Sequence, residues 1–148
     1  MKATAKALKE FVGGFGLPAY TTQTVPDDVS VPYLVYPLVE PEWTKKATFY
    51  IQGWYRSTSN AALVEKADQI IKEVGAGITI NTDSGYLVIY PETPLCQMMT
   101  DGDFRSFYIN LSINVYQVPG YYPESPSESP VTQEPGENPE EGETNAET

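Results

Sequence analysis

Between Phe107 and Tyr116 the side chains alternate without a break. Phe107, Ile109, Leu111, Ile113 and Val115 stand against Tyr108, Asn110, Ser112, Asn114 and Tyr116. A period of two over this span predicts a β-strand with one buried face. The same rhythm runs from Thr48 to Tyr55, with Phe49, Ile51, Gly53 and Tyr55 in one phase and Thr48, Tyr50, Gln52 and Trp54 in the other. After Ser57-Thr58-Ser59-Asn60, which offers several N-caps, the period changes. Leu63, Ala67, Ile70, Ile71 and Val74 fall on one helical stripe, while Glu65, Lys66, Asp68, Lys72 and Glu73 cover the other side. Gly75 marks the stop. A shorter helix is predicted over residues 2–12, where Ala5, Leu8 and Val12 share a face and Gly13-Gly14 ends the run.

Three further strands follow from local composition. Val31 to Pro37 is rich in Val and Tyr but bracketed by prolines, which places it at an edge or confines the prolines to its ends. Gly77 to Ile80 and Tyr86 to Tyr90 read as a hairpin around a five-residue loop, Asn81 to Gly85. Pro37 to Lys46 reads as a loop. The predicted order is α-β-β-α-β-β-β, and the fold class is α+β: a mainly antiparallel sheet with one main amphipathic helix packed on it and a short N-terminal helix.

Charge divides the chain. Of 148 residues, 9 are Lys or Arg and 20 are Asp or Glu, a net charge of −11. Eight of those acids are glutamates beyond Val118, where there is no Lys or Arg, so residues 1–117 carry only −3. The segment 118–148 also holds six of the thirteen prolines and few apolar side chains. It cannot bury enough surface to offset the entropy of ordering it, and is expected to be a disordered acidic tail. The near-neutral domain of residues 1–117 lacks the basic face that sequence-independent nucleic-acid binding requires. The tail invites two readings, a solvated segment that keeps the protein soluble or a polyanion for a basic partner.

Candidate chemistry is sparse. There is no histidine and a single cysteine, which excludes His-dependent triads, imidazole-ligated metals, thiolate clusters and internal disulfides. Asp101-Gly102-Asp103 offers two carboxylates but reads first as a turn before a strand. Asn81 to Gly85 with Glu92 superficially suggests a calcium loop, yet the position that needs glycine is Tyr86. Cys96 has no base to activate it and reads as a structural thiol. Gly13-Gly14-Phe15-Gly16 follows a helix and lacks the lysine of a phosphate loop. No catalytic, cofactor or metal site is assigned, and an enzyme is not expected. No run approaches the length of a membrane span, and the cationic N-terminus lacks the apolar core of a signal peptide. The expected setting is a cytoplasm or a particle assembled there.

Aromatic residues say more. Tyr50, Trp54, Tyr108 and Tyr116 share the polar phase of their strands with Gln52, Asn110 and Ser112. Such a face suits a protein contact or a carbohydrate platform, or else is covered by a second layer such as the N-terminal helix.

One ordering carries a resemblance. A short helix precedes Gly16-Leu17-Pro18-Ala19-Tyr20, then Val31-Pro32-Tyr33-Leu34-Val35-Tyr36-Pro37. The aromatic strand Thr48 to Ser57, ending Trp54-Tyr55-Arg56-Ser57, then leads into the helix Ala61 to Val74. Over residues 1–117 this resembles the small minor capsid or tail-completion proteins of long-tailed phages of Gram-positive bacteria, the tail terminator group. The acidic segment has no counterpart in that resemblance. It implies a homo-oligomeric ring, typically a hexamer, that caps the tail tube protein, docks to the head-side connector protein and lets DNA pass through its lumen. Within the same class stand a connector stopper and the tail tube protein, which needs a longer polymerising hairpin than Pro37 to Lys46 offers. A small acidic inhibitor acting through its tail is the reading from another class. Exposed aromatics and charge, not the resemblance, nominate the contact residues: Trp43, Lys45 and Lys46 in the loop Glu40 to Lys46, and Trp54, Tyr55 and Arg56.

Overall fold

The computed structural model describes residues 1–118, so the tail expected over 118–148 lies, beyond its first residue, outside the described residues. The described chain runs α1 (Lys2–Gly13), β1 (Ala19–Thr21), β2 (Tyr33–Tyr36), β3 (Lys46–Arg56), α2 (Ala61–Val74), β4 (Ile78–Thr82), β5 (Gly85–Asp101) and β6 (Phe104–Gln117). The strands form one sheet in the order β1-β2-β3-β6-β5-β4.

The two strongly alternating segments sit side by side at the centre. β3 pairs antiparallel with β6 along its whole length, from Lys46 opposite Asn114 to Arg56 opposite Phe104. Their inward phases, Phe49 and Ile51 against Phe107, Ile109, Leu111 and Ile113, are fully or almost fully removed from solvent. Leu63, Ala67, Ile70 and Val74 of α2 and Leu8 and Val12 of α1 close the same core. Both helices therefore lie on one face of the sheet.

The sheet is mixed, which corrects the expectation of a mainly antiparallel one in a specific place. β1 runs parallel to β2, Ala19 opposite Leu34. The chain leaves β1, crosses through residues 22–32 and returns in the same direction, close to the shortest crossover a parallel pair allows. A three-residue strand has no alternation to read, so β1 was absent from the predicted order. Two other expectations shift. The β4–β5 loop is only Asp83-Ser84, because Asn81 and Thr82 pair with Tyr86 and Gly85. And β5 does not stop at Tyr90. It passes through a register shift between Pro91 and Cys96 and continues to Asp101. Pro91 and Pro94 are tolerated because β4 covers only Gly85 to Ile89, so their missing N–H groups fall on an open edge. Asn110 Nδ2 donates to the Pro94 carbonyl at 2.7 Å and ties the irregular segment down.

The sheet curls around α1, which touches both of its terminal strands, β1 and β4. On the β4 side Lys6 reaches Asp83 at 3.1 Å. On the other side the Thr4 hydroxyl donates to Glu40, in the β2–β3 connector, at 2.6 Å. The short N-terminal helix is thus a plug across the gap between two sheet edges. None of the helices among the described residues is long and apolar enough to cross a membrane.

Candidate protein interface

Alternation in β3 and β6 delivers side chains to the face opposite the helices: Lys46, Thr48, Tyr50, Gln52 and Trp54 from one strand, Ser106 to Tyr116 in even steps from the other. The neighbouring strands add Tyr33, opposite Trp54, and Tyr86, opposite Tyr116. Aromatic rings meet in pairs. Tyr50 and Tyr108 stack with centroids 4.6 Å apart, Tyr86 and Tyr116 at 4.9 Å, and Tyr20 meets Tyr33 edge-on at 5.9 Å. Such geometries favour ring contact beyond simple burial. Partial burial pushes the Tyr108 and Tyr33 hydroxyls up in pKa, so both stay neutral donors. The N-terminal helix does not cover this face, since it packs on the other side of the sheet.

The six nominated contact residues separate into two groups. At the start of β3, Trp43 is 64% exposed at the tip of a turn in which Thr44 takes a left-handed backbone (φ 69°). Lys45 pairs loosely with Glu42 at 3.7 Å, and Lys46 with Glu92 at 3.1 Å. Glu92 is held below the ordinary carboxylate range first by the nearby Ser112 hydroxyl, which approaches it outside good hydrogen-bond geometry, and then by Lys46. Trp43 also walls a shallow cleft of about 240 Å³ with Glu40, Pro41 and Gln117. At the far end of β3, roughly 30 Å away at strand rise, Trp54 is half-buried on the open face. Tyr55 points to the helix side and packs on Phe107, 6.4 Å between centroids. Its hydroxyl is pushed up in pKa by burial, with Glu65 adding to the effect. Arg56 is exposed and lies 4.8 Å over the Phe104 ring. So Trp54 and Arg56 share the open face, and Tyr55 serves the core.

The other candidates resolve simply. Asp101-Gly102-Asp103-Phe104 is the tight turn of the β5–β6 hairpin, and Gly102 takes the positive φ (61°) that the first central position of a type II′ turn requires. Among the described residues no group of three or more His, Cys, Asp or Glu is placed to hold a metal ion. Cys96 is half-buried on the helix side, and burial raises its thiol pKa, with Asp68 adding to it.

Sequence reasoning missed the part that Tyr33, Tyr86 and Tyr20 play in the open face, and it missed the strand Leu95 to Asp101. The tyrosines carried the right parity within their strands, but which strands were neighbours was not readable. No family model matches this chain, and no curated protein matches it.

Proposed function

We propose that this chain is a structural protein of a phage virion, a tail terminator. In this reading it forms a homo-oligomeric ring, with six copies the expected number, that caps the tail tube protein and meets the head-side connector protein. The observation that carries the reading is the sheet face opposite both helices. It bears stacked tyrosines and Trp54 among Gln52, Asn110 and Asn114, and no element of its own chain among the described residues lies over it. A mixed aromatic and amide surface of that kind suits contact with protein. The two contact groups at opposite ends of β3 support it as well, because a ring subunit needs separate surfaces for its neighbours and for the structures above and below. Head-to-tail contacts that close by rotation would build the ring. A near-neutral domain fits a lumen through which DNA must slide, since a basic wall would hold it.

The test is imaging of the concentrated full chain by negative stain, with mass from light scattering, followed by addition to terminator-deficient tails. Closed rings with a hole wide enough for duplex DNA, and restored joining of tails to heads, are the expected results. Protein that neither binds tail ends nor restores joining would end the proposal. The long β5–β6 hairpin favours a tail tube protein as the second reading, and open tubes would select it. Deleting residues 118–148 should leave ring formation intact, whereas an inhibitor acting through its acidic segment would lose its activity.

A further inference from the structure

Sheet edges expose rows of unpaired N–H and C=O groups, and proteins normally cover, charge or interrupt them. Here α1 touches both terminal strands, and β4 shields β5 from Gly85 to Ile89. Beyond the register shift, β5 continues from Cys96 to Asp101 with β6 on one side only. Leu95-Cys96-Gln97-Met98-Met99-Thr100 contains no charge and no proline. Met98 and Met99 are 40% and 44% exposed, among the most exposed large apolar side chains described. Among the described residues, no second strand lies beside this stretch of edge.

Its hydrogen-bonding phase follows from the turn. Across a two-residue loop the closing pair, Asp101 and Phe104, exchanges both backbone bonds, so Gln97, Met99 and Asp101 bond to β6. Cys96, Met98 and Thr100 then direct their N–H and C=O groups outward, where none of them meets a partner among the described residues.

We infer that this edge is a self-pairing surface, on which two copies of the chain join β5 to β5, antiparallel, with Met98 opposite Met98 of the second copy. The phase selects that register. Centred on Met98, the outward groups of residues 96, 98 and 100 all find partners, about six hydrogen bonds in all. Centring on Gln97 or Met99 sets Thr100 against Pro94, or Cys96 against the Gly102 turn, and loses a third of them. Charge agrees with the choice of a second copy. Although the chain carries −11, this register sets Asp101 against Leu95 of the second copy, and no acid against another. It also sets Met98 on Met98 and Met99 on Gln97, covering the exposed sulfur side chains. The contact is isologous, so it cannot close a ring, and it stands or falls apart from the terminator reading.

The register is read by cysteine scanning of the full chain in a Cys96→Ser background. Residues opposite themselves in a hydrogen-bonded pair lie about 5.5 Å apart at Cα, within disulfide range. Met98→Cys should therefore form covalent dimers under mild oxidation, roughly tenfold faster than Gln97→Cys or Thr100→Cys. Met98→Pro is the companion, because its lost N–H faces outward and the bonds to β6 are kept. It should retain the wild-type circular dichroism while light scattering shows the pair lost, and rings, if the terminator reading is right, should persist. Equal cross-linking at positions 97, 98 and 100, or a wild-type protein with the same mass as Met98→Pro at every concentration, would overturn the inference. So would pairing of this edge with a different protein while the free chain stays monomeric.

Discussion

Gly53 sits in the middle of β3 directly opposite Phe107, whose ring is fully buried. A Cβ added to Gly53 would fall on the Cε2 and Cζ atoms of that ring, and would lie 3.1 Å from Cδ2. The backbone at Gly53 is ordinary, so the cost of Gly53→Ala is steric alone. The ring cannot swing away freely, because Tyr55 stands beside it and both residues are fixed in the central β3–β6 ladder. Overpacking of this kind costs about 1–3 kcal/mol, and the direct overlap with two ring atoms argues for the upper end. Phe107→Leu alone should cost roughly 1–1.5 kcal/mol. Combined, the two should cost about 2 kcal/mol, well under their sum, because the shorter leucine opens the space that the new methyl needs. With a urea slope of about 1.5 kcal/mol/M, the midpoint of Gly53→Ala should fall by about 2 M, and the double variant should lie above it. Urea unfolding of the full chain followed by circular dichroism reads all four corners of the cycle. Additivity within about 0.5 kcal/mol, or a wild-type midpoint for Gly53→Ala, would show that the ring does not occupy the space above Gly53. If Gly53→Ala alone fails to fold, folding of the double variant is the expected rescue.

Other consequences are open to the same methods. Leu8→Ala should cost about 3 kcal/mol, since Leu8 is fully buried between α1 and the sheet; hydrogen exchange should then accelerate first in β4, and unchanged β4 protection would mean that α1 does not seal that edge. The Ser106 hydroxyl is buried without a hydrogen-bond partner among the described residues, so Ser106→Ala should be neutral or stabilising by up to about 1 kcal/mol; a clear loss of stability would reveal a partner. Glu40 is held below its ordinary value of 4.5 mainly by the Thr4 hydroxyl. A carboxylate with a lowered folded pKa contributes stability that is complete above its unfolded value and fades as pH falls through the folded one. Glu40→Gln should therefore flatten the part of the acid-unfolding curve below about pH 4.5, and an unchanged curve would discount the Thr4 bond.

What the sequence revealed depended on how long each pattern ran. The strands that alternate without a break, from Thr48 to Tyr55 and from Phe107 to Tyr116, and the five-point stripe from Leu63 to Val74 were read correctly, because register there is fixed by one buried face. β1 was not legible, since Ala19-Tyr20-Thr21 is too short for any period and its parallel pairing depends on the crossover that follows. The second half of β5 was hidden by Pro91 and Pro94, which signal a break but here lie on an uncovered edge. On the open face, parity put Tyr50, Trp54, Tyr108 and Tyr116 together, whereas Tyr55, nominated by residue type, lies on the helix side. Strand parity had already set Tyr55 with Phe49 and Ile51, and the structure follows parity.

Parity also binds the open face to the core. Each residue of β3 from Phe49 to Tyr55 commits its neighbour: if Phe49, Ile51 and Gly53 face the helices, then Tyr50, Gln52 and Trp54 must face away. A slip of one residue would bury Gln52 and expose Ile51, so the packing of Phe107 over Gly53 holds the aromatic face in place as well as the core. The edges follow a different logic, because backbone pairing is indifferent to side-chain parity. α1 touches two of them, and β4 ends opposite Ile89, so the last residues of β5, beyond the Pro91–Cys96 irregularity, have no second strand beside them among the described residues. The proposed contacts through the face and through the β5 edge are consequently separable. Substitutions at Tyr50 or Trp54 act on one, Met98→Pro acts on the other, and neither needs to disturb the ladder between β3 and β6.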